Sequence, residues 1–338
     1  MSQPGKHGRR TLETGKLPPE LLAALLSASP DLPPEVRLGA RIGEDASGID
    51  VPEGTLVVAA DPITLTTSDV ARLAVVVNAN DVAVCGARPR WFLAVVLVPP
   101  ATSESSIRDL FSHLHAALAE VGAALVGGHT EVTPAVTQPI VLGTMLGITE
   151  LGAIVETAGL APGDLLLQVR PVPIEGAAVL ANEAAERLSG VDAETLARAR
   201  AALDDPGISV VEPALLATRL GASALHDPTE GGILMGLHEM AVAGEVGLRV
   251  DPDAVLWFEP GIAVCAALGG DPWSTLASGT LLAAFPEAAA PSAVSAFEEA
   301  GHAVAVVASV ERGRGMVASD GTPMSPRERD EVARILAS

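Results

Sequence analysis

Between Leu73 and Cys85 the sequence reads LAVVVNANDVAVC, apolar at every position except Asn78, Asn80 and Asp81. A helix apolar on nearly all sides has to be buried, so this segment demands layers of structure packed around it. Asn78 and Asp81 are three residues apart and share a face, with Asn80 a little round from them. Burying an ionised Asp costs several kcal/mol unless a cation, a metal or several hydrogen-bond donors meet it. Two readings are open, a structural hydrogen-bond network and a bound cation, because Arg72 is the only basic residue ahead of this stretch in the helix.

The rest of the chain supplies such layers. Strand patterns fall at 56–60, 91–98, 140–148, 164–169, 279–285 and 303–310. Helical patterns fall at 68–85, 103–122, 175–188, 194–203, 210–220, 232–243 and 286–300, with a further short helix at 17–29. This alternation predicts α/β or α+β layers, and the length suits two domains. The expected division is an arm and short helix over 1–30, an N-terminal domain over 31–155, a C-terminal domain over 160–312 and a helical tail over 313–338. With aromatics at 2% and no Tyr, the core has to be made of Ala, Val and Leu. A formal charge of −21 over 338 residues argues against nucleic acid, which requires a basic stripe. There is no apolar run of about 18 residues for a membrane span. The basic start MSQPGKHGRR runs into polar TLETGKLPPE rather than the apolar stretch of a signal peptide, so a cytoplasmic protein is expected. Cys85 and Cys265 match no metal or redox spacing and read as buried thiols.

Four more signatures place polar residues where loops meet regular structure. Gly43-Glu44-Asp45-Ala46-Ser47 is a surface turn or a ligand loop. Asp61-Pro62 follows an apolar strand and either faces a ligand crevice or starts a loop. Gly127-Gly128-His129-Thr130-Glu131 follows the short apolar strand 123–126, and a loop with paired glycines can cradle an anion with its free amides. His226-Asp227-Pro228-Thr229-Glu230-Gly231-Gly232 opens a helix, where Asp227 or Thr229 caps the helix or the free N–H groups bind phosphate. No GxxxxGK[ST] loop and no dinucleotide-binding fingerprint is present. Asp45, Asp61, Asp81 and Asp227, with Gly-rich segments beside them, make sense together as an oxygen-ligand site for magnesium (Mg2+) and nucleotide phosphates.

In order, GEDAS, AADPIT, NANDVAVCGARPRWF, GGHTEV, PGDLLL, HDPTEGG and DPWSTLASGTLL resemble the aminoimidazole ribonucleotide synthetase (PurM-like) superfamily over about residues 15–310. Within it the GKLP start, NANDVAVCGARPRWF and DPWSTLASGTL look most like the hydrogenase maturation factor HypE and HypE-like AIR synthase-related proteins. The resemblance implies an N-terminal domain whose sheet forms a barrel with that of a second copy, and a C-terminal α+β sandwich. It implies ATP and magnesium between the domains, a homodimer, a small-molecule substrate and a possible maturation partner protein. By motif, Asp45, Asp61, Asp81 and Asp227 are implied metal and phosphate ligands. Asn80, Thr130 and the Gly127-Gly128 backbone are implied to line the nucleotide, and Thr229 with Gly231 and Gly232 to form a second anion-binding turn. Lys16 lies in a segment that folds over the phosphates in relatives, or is a solvated tail residue.

Two departures bear on the chemistry. Many relatives carry Asp or Glu after the paired glycines, where it helps hold metal and where this chain has His129; either Glu131 takes over or the site holds fewer ions. HypE ends in a Pro-Arg-Ile/Val-Cys tail whose thiol carries a carbamoyl group, whereas this sequence ends DEVARILAS with no cysteine after Cys265. The expected function is an ATP-dependent enzyme that activates a carbonyl or other oxygen by phosphorylation, with His129 and Glu131 as candidate acid–base residues. The alternatives are a non-catalytic nucleotide-binding accessory protein and a phosphotransferase resembling thiamine-monophosphate kinase.

Overall fold

The segment that demanded burial forms helix α1 (Val70–Val84) in the computed structural model, which describes residues 34–38, 44, 46–52, 54–64, 69–149, 154–327 and 329–337. Thirteen of its fifteen residues are buried, as a helix without a polar face requires. It packs on a seven-stranded sheet of β1 (Val36–Leu38), β2 (Ser47–Val51), β3 (Gly54–Ala59), β4 (Pro62–Ile63), β5 (Ala87–Val98), β6 (Ala124–Val132) and β7 (Ile140–Thr149). The strand order is β1-β2-β3-β7-β5-β6, with β4 also on β7. Only β5 and β6 run parallel, and the crossover that a parallel pair needs is helix α2 (Glu104–Val121). Ser103 caps that helix by accepting the Ser106 N–H, and Gly122 ends it at a φ of 73°. On one face of the sheet Val57, Ala59, Phe92, Ala94, Val96 and Met145 are buried with the helices. Leu93 and Leu142 remain partly exposed, as do Val126 and Val132 on the edge strand β6.

A second seven-stranded sheet follows: β8 (Asp164–Val169), β9 (Ala224–His226), β10 (Gly247–Val250), β11 (Leu281–Pro286), β12 (Val304–Glu311), β13 (Gly315–Ala318) and β14 (Pro323–Met324). Its order is β14-β13-β10-β12-β8-β11-β9. Both faces are covered, which is why β11 reads as the unbroken apolar run LLAAF. Leu281, Ala283 and Phe285 enter one core with α3 (Glu175–Glu183), α4 (Ala193–Arg200) and α5 (Val211–Arg219). Leu282 and Ala284 enter another with α6 (Gly232–Ala243). The first of these cores continues into α1, and also takes in α7 (Glu259–Leu268), α8 (Ala290–Glu299) and α9 (Glu331–Leu336).

The α+β class and the two-sheet organisation agree with expectation, and three readings change. GGHTE is not a loop after a short strand: it lies inside β6, whose pairing with β5 runs through Val132. Residues after 312, expected as a helix and tail, add β13 and β14 to the second sheet before α9. The helix expected over 175–188 stops at Glu183 and continues as a single tight turn, Ala185–Arg187. The short helix over 17–29, Lys16 and Asp45 lie outside the described residues.

Candidate functional site

The polar residues of α1 divide between structure and site. Asn78 holds the backbone of Asp61, accepting its N–H at 2.8 Å and donating to its carbonyl at 3.2 Å. Asp61 thereby stays fixed just beyond β3 with its side chain exposed. Asn80 was expected to line a nucleotide. It is instead fully buried, donating to Ile208 O at 2.9 Å and accepting from Val210 N at 2.8 Å. Its amide ties α1 to the segment before α5, so the hydrogen-bond reading of this stretch holds for both asparagines. Asp81, 5% exposed, shares the face of Asn78.

Glu44 in the GEDAS signature is also structural. Its carboxylate accepts the N–H groups of Thr157 at 3.2 Å and Ala158 at 3.3 Å, joining the start of the first sheet to the short 3-10 turn that leads to the second.

The paired glycines of β6 answer a packing demand. A Cβ at Gly128 would lie 2.0 Å from Ala94 O, just past the point between Phe92 and Leu93 where the register between β5 and β6 shifts. Because side chains alternate along a strand, His129 and Glu131 share one side and Thr130 takes the other. His129 Nε2 stands 3.7 Å from Glu131 Oε2, and both side chains are exposed.

The second Gly-Gly signature is buried. β9 ends at His226, whose Nε2 is 3.1 Å from Glu239 Oε2, and Asp227 follows at 1% exposure. Gly231 has a φ of 85° and starts α6. The turn that was expected to bind an external anion holds an internal one: Gly231 N–H donates to Asp330 Oδ2 at 2.7 Å. Gly232 N–H turns back to Thr229 O at 3.1 Å. Asp330 also accepts the Val332 N–H through Oδ1, capping α9 with the same carboxylate. Burial, opposed by these two hydrogen bonds, pushes Asp330 up to about 6.

Across from this turn stands Glu175 in the first turn of α3, 6% exposed. Burial pushes it up to about 7; a hydrogen bond from Ser278 opposes the shift, and the charges of Asp330 and Glu230 add to it.

Asp81 and Asp227 thus lie on α1 and at the end of β9, elements that pack against each other. Asp61 is held one helical turn away from Asp81 through Asn78, while His129, Thr130 and Glu131 sit on the outer strand of the first sheet. Among the described residues no three His, Cys, Asp or Glu side chains are grouped closely enough to hold a metal by themselves. Sequence reasoning missed Glu175, Asp330 and Ser278. The signal for Asp330 was available, since an Asp just ahead of EVARIL is an ordinary N-cap. Glu175 follows Pro171-Val172-Pro173, which reads as a turn, and its burial is a tertiary property.

Over 251 residues the chain is 28% identical to the carbamoyl dehydratase HypE of Cupriavidus necator, an overlap covering 72% of this chain and 69% of that protein. The fold is similar to a crystal structure of HypE in complex with ATP, with a TM-score of 0.71 at 23% identity over 86% of this chain and 90% of that one. It is similar also to thiamine monophosphate kinase from Aquifex aeolicus, with a TM-score of 0.68 at 16% identity over 91% and 97%. Residues 43–149 match the AIR synthase related protein, N-terminal domain, and residues 161–321 match its C-terminal domain. With both halves of the fold matched in order, the chain belongs to the AIR synthase related protein family.

Proposed function

We propose that this chain is an ATP- and magnesium-dependent enzyme that activates a carbonyl or other oxygen of a small substrate by phosphorylating it. The observation that carries the reading is a pair of buried carboxylates, Asp81 and Asp227, on elements that pack together from the two halves of the fold. Carboxylate oxygens suit a hard cation. Magnesium binds through one or two carboxylates and keeps phosphate oxygens and water as its other ligands, so no closed three-residue cluster is required. Asp81 and Asp227 would hold it, with Asp61 and Asp45 completing the set. When bound, the ion neutralises charge that builds up on the phosphate oxygens.

Thr130 and the β6 backbone would face the nucleotide, together with Lys16. ATP as the nucleotide is supported by the ATP complex of HypE, and a carbonyl-type oxygen as the target by the carbamoyl dehydratase activity that the Cupriavidus necator relative is named for. His129 with Glu131 is the candidate acid–base pair on β6. That strand's exposed edge and the partly exposed Leu93 and Leu142 would pair with a second copy, making a homodimer. A cytoplasmic location and a maturation partner protein belong to the same reading. Among the described residues no helix is long and apolar enough to cross a membrane.

The likeness to thiamine monophosphate kinase favours a second reading, phosphoryl transfer to a hydroxyl or phosphate acceptor. The deciding measurement is phosphate release from ATP with and without magnesium, alongside calorimetry with ATP. Wild-type protein should hydrolyse ATP only with magnesium, and Asp81→Asn should lower turnover at least about 100-fold while staying folded. Unchanged turnover in Asp81→Asn overturns the metal assignment. Tight ATP binding with no phosphate release over hours would instead mark an accessory protein.

A further inference from the structure

β9 sorts its residues between two cores on the way to Asp227. Ala224 is buried in the core that holds α6, and Leu225 in the core that holds α1. His226 returns to the α6 side, as does Leu282, its cross-strand neighbour on β11. α6 meets this segment at Gly236, where a Cβ would lie 2.6 Å from Pro228 Cβ and 3.4 Å from His226 Cδ2. The residues on either side of Asp227 are thus both pressed against α6. Asp227 itself faces the other way, toward the side of the sheet that α1 covers.

Glu239 follows Gly236 by three residues and lies on the same face of α6. His226 Nε2–H donates to Glu239 Oε2 at 3.1 Å, with the ring 3% exposed and the Glu239 side chain 17%. The core around them is apolar, made of Ile233, Leu237 and Met240 of α6 with Leu282 and Ala284 of β11. A well-packed apolar pair would close such a core at least as stably as an imidazole and a carboxylate. What the polar pair adds is direction, since a hydrogen bond weakens steeply as it bends away from linear. It ties the last residue of β9 to one turn of α6, and the next residue is Asp227.

We propose that Glu239 is a positioning residue for Asp227, acting through His226. The hydrogen bond fixes the end of β9 so that the Asp227 carboxylate stays turned to the α1 side, where Asp81 lies. This inference rests on the reading of Asp81 and Asp227 as the residues that hold magnesium. An ion bound through so few protein carboxylates has no spare ligand to replace one that swings away, so the orientation of Asp227 governs affinity.

The test measures binding of a nonhydrolysable ATP analogue to the full chain by calorimetry, with and without magnesium. In wild type, magnesium should tighten binding at least about 30-fold. Asp227→Asn and Glu239→Ala should each cut that gain at least about tenfold. Glu239→Gln keeps an oxygen that accepts from His226, and it should hold the gain within about threefold of wild type. Adding Glu239→Ala to Asp227→Asn should change the gain by less than about twofold, because Glu239 acts through Asp227. Without magnesium, both Glu239 variants should bind the analogue within about threefold of wild type, as a general loosening of the fold would not allow. Glu239→Met, which keeps the bulk of the side chain, stands in should Glu239→Ala fail to fold. No magnesium gain in wild type, or an undiminished gain in Asp227→Asn, overturns the metal reading and this inference with it. A gain that Asp227→Asn loses and Glu239→Ala keeps overturns the role of Glu239 alone, as does an equal loss of binding in Glu239→Ala with and without magnesium.

Discussion

Gly127-Gly128 sits in an edge strand whose neighbours His129 and Glu131 are exposed, whereas Gly231-Gly232 starts a helix beside Asp227, which is almost completely buried. In sequence the two pairs look alike, each flanked by His, Thr and Glu. In the fold, Gly128 is needed because a strand pairs too closely for a side chain, while Gly231 and Gly232 let a helix start touch its neighbours. The difference separates a surface that a partner can complete from a nest already closed by the chain's own carboxylate. A Gly-Gly pair therefore reports close backbone approach, and only its surroundings show whether a ligand is the reason.

The sharpest break of this comparison is a pair of alanine substitutions. Gly232→Ala puts a Cβ 2.4 Å from the Trp273 carbonyl at a φ of 71°, where backbone cannot give way cheaply. It should cost about 3–5 kcal/mol, read from urea unfolding. Gly127→Ala meets only Leu93 Cδ2 at 3.7 Å, with no left-handed φ, and should stay within about 1 kcal/mol of wild type. Similar costs at the two sites would mean that the helix start is no more tightly clasped than the strand.

The next effect tests the carboxyl nest through pH. Glu175 rises from 4.5 unfolded to about 7 folded, so between these values the native state keeps a proton that the unfolded chain has released. That contribution is fully present below pH 4.5 and is lost as pH rises through 7. Removing it with Glu175→Gln should change the difference between the two stability curves by about 3 kcal/mol across that window, with the mutant gaining on wild type as pH rises. Asp330 acts in the same direction between 3.8 and about 6, and its slope should persist in the mutant. His238 and His302, both lowered by burial, contribute the opposite slope, so the difference curve and not either curve alone carries the result. A flat difference would place Glu175 in solvent.

Much of the frame was legible because periodicity reports burial directly. β8 and α6 begin and end where their apolar patterns do, and the burial of α1 follows from LAVVVNANDVAVC. The short strands β1, β2, β13 and β14 were not legible, since runs of two to five residues are too short to show a period. The site was legible by residue type rather than by job. Asp81 and Asp227 drew notice as carboxylates in apolar or Gly-rich surroundings. Asn80 looked like a ligand until its amide was seen joined to Ile208 and Val210, more than 120 residues away. Glu175 escaped notice for the opposite reason: its neighbours in sequence are those of a helix start, and its acidic company comes from residues 230 and 330.

The smallest expected effect lies on the edge strand and decides what that edge is for. His129 is exposed and stands 3.7 Å from an exposed Glu131, a pair of the kind that contributes almost nothing to stability. In a monomer His129→Ala should therefore shift unfolding free energy by no more than about 0.5 kcal/mol, at every protein concentration. If a second copy pairs along β6, His129 becomes interfacial. The same substitution should then lower the apparent stability by an amount that grows with protein concentration until both proteins are fully associated, because association stabilises only the folded chain. Measuring wild type and His129→Ala over a hundredfold range of concentration separates the cases. A concentration-independent null effect overturns the homodimer through β6. It also confines any loss of ATP turnover in that variant to chemistry carried by His129 itself.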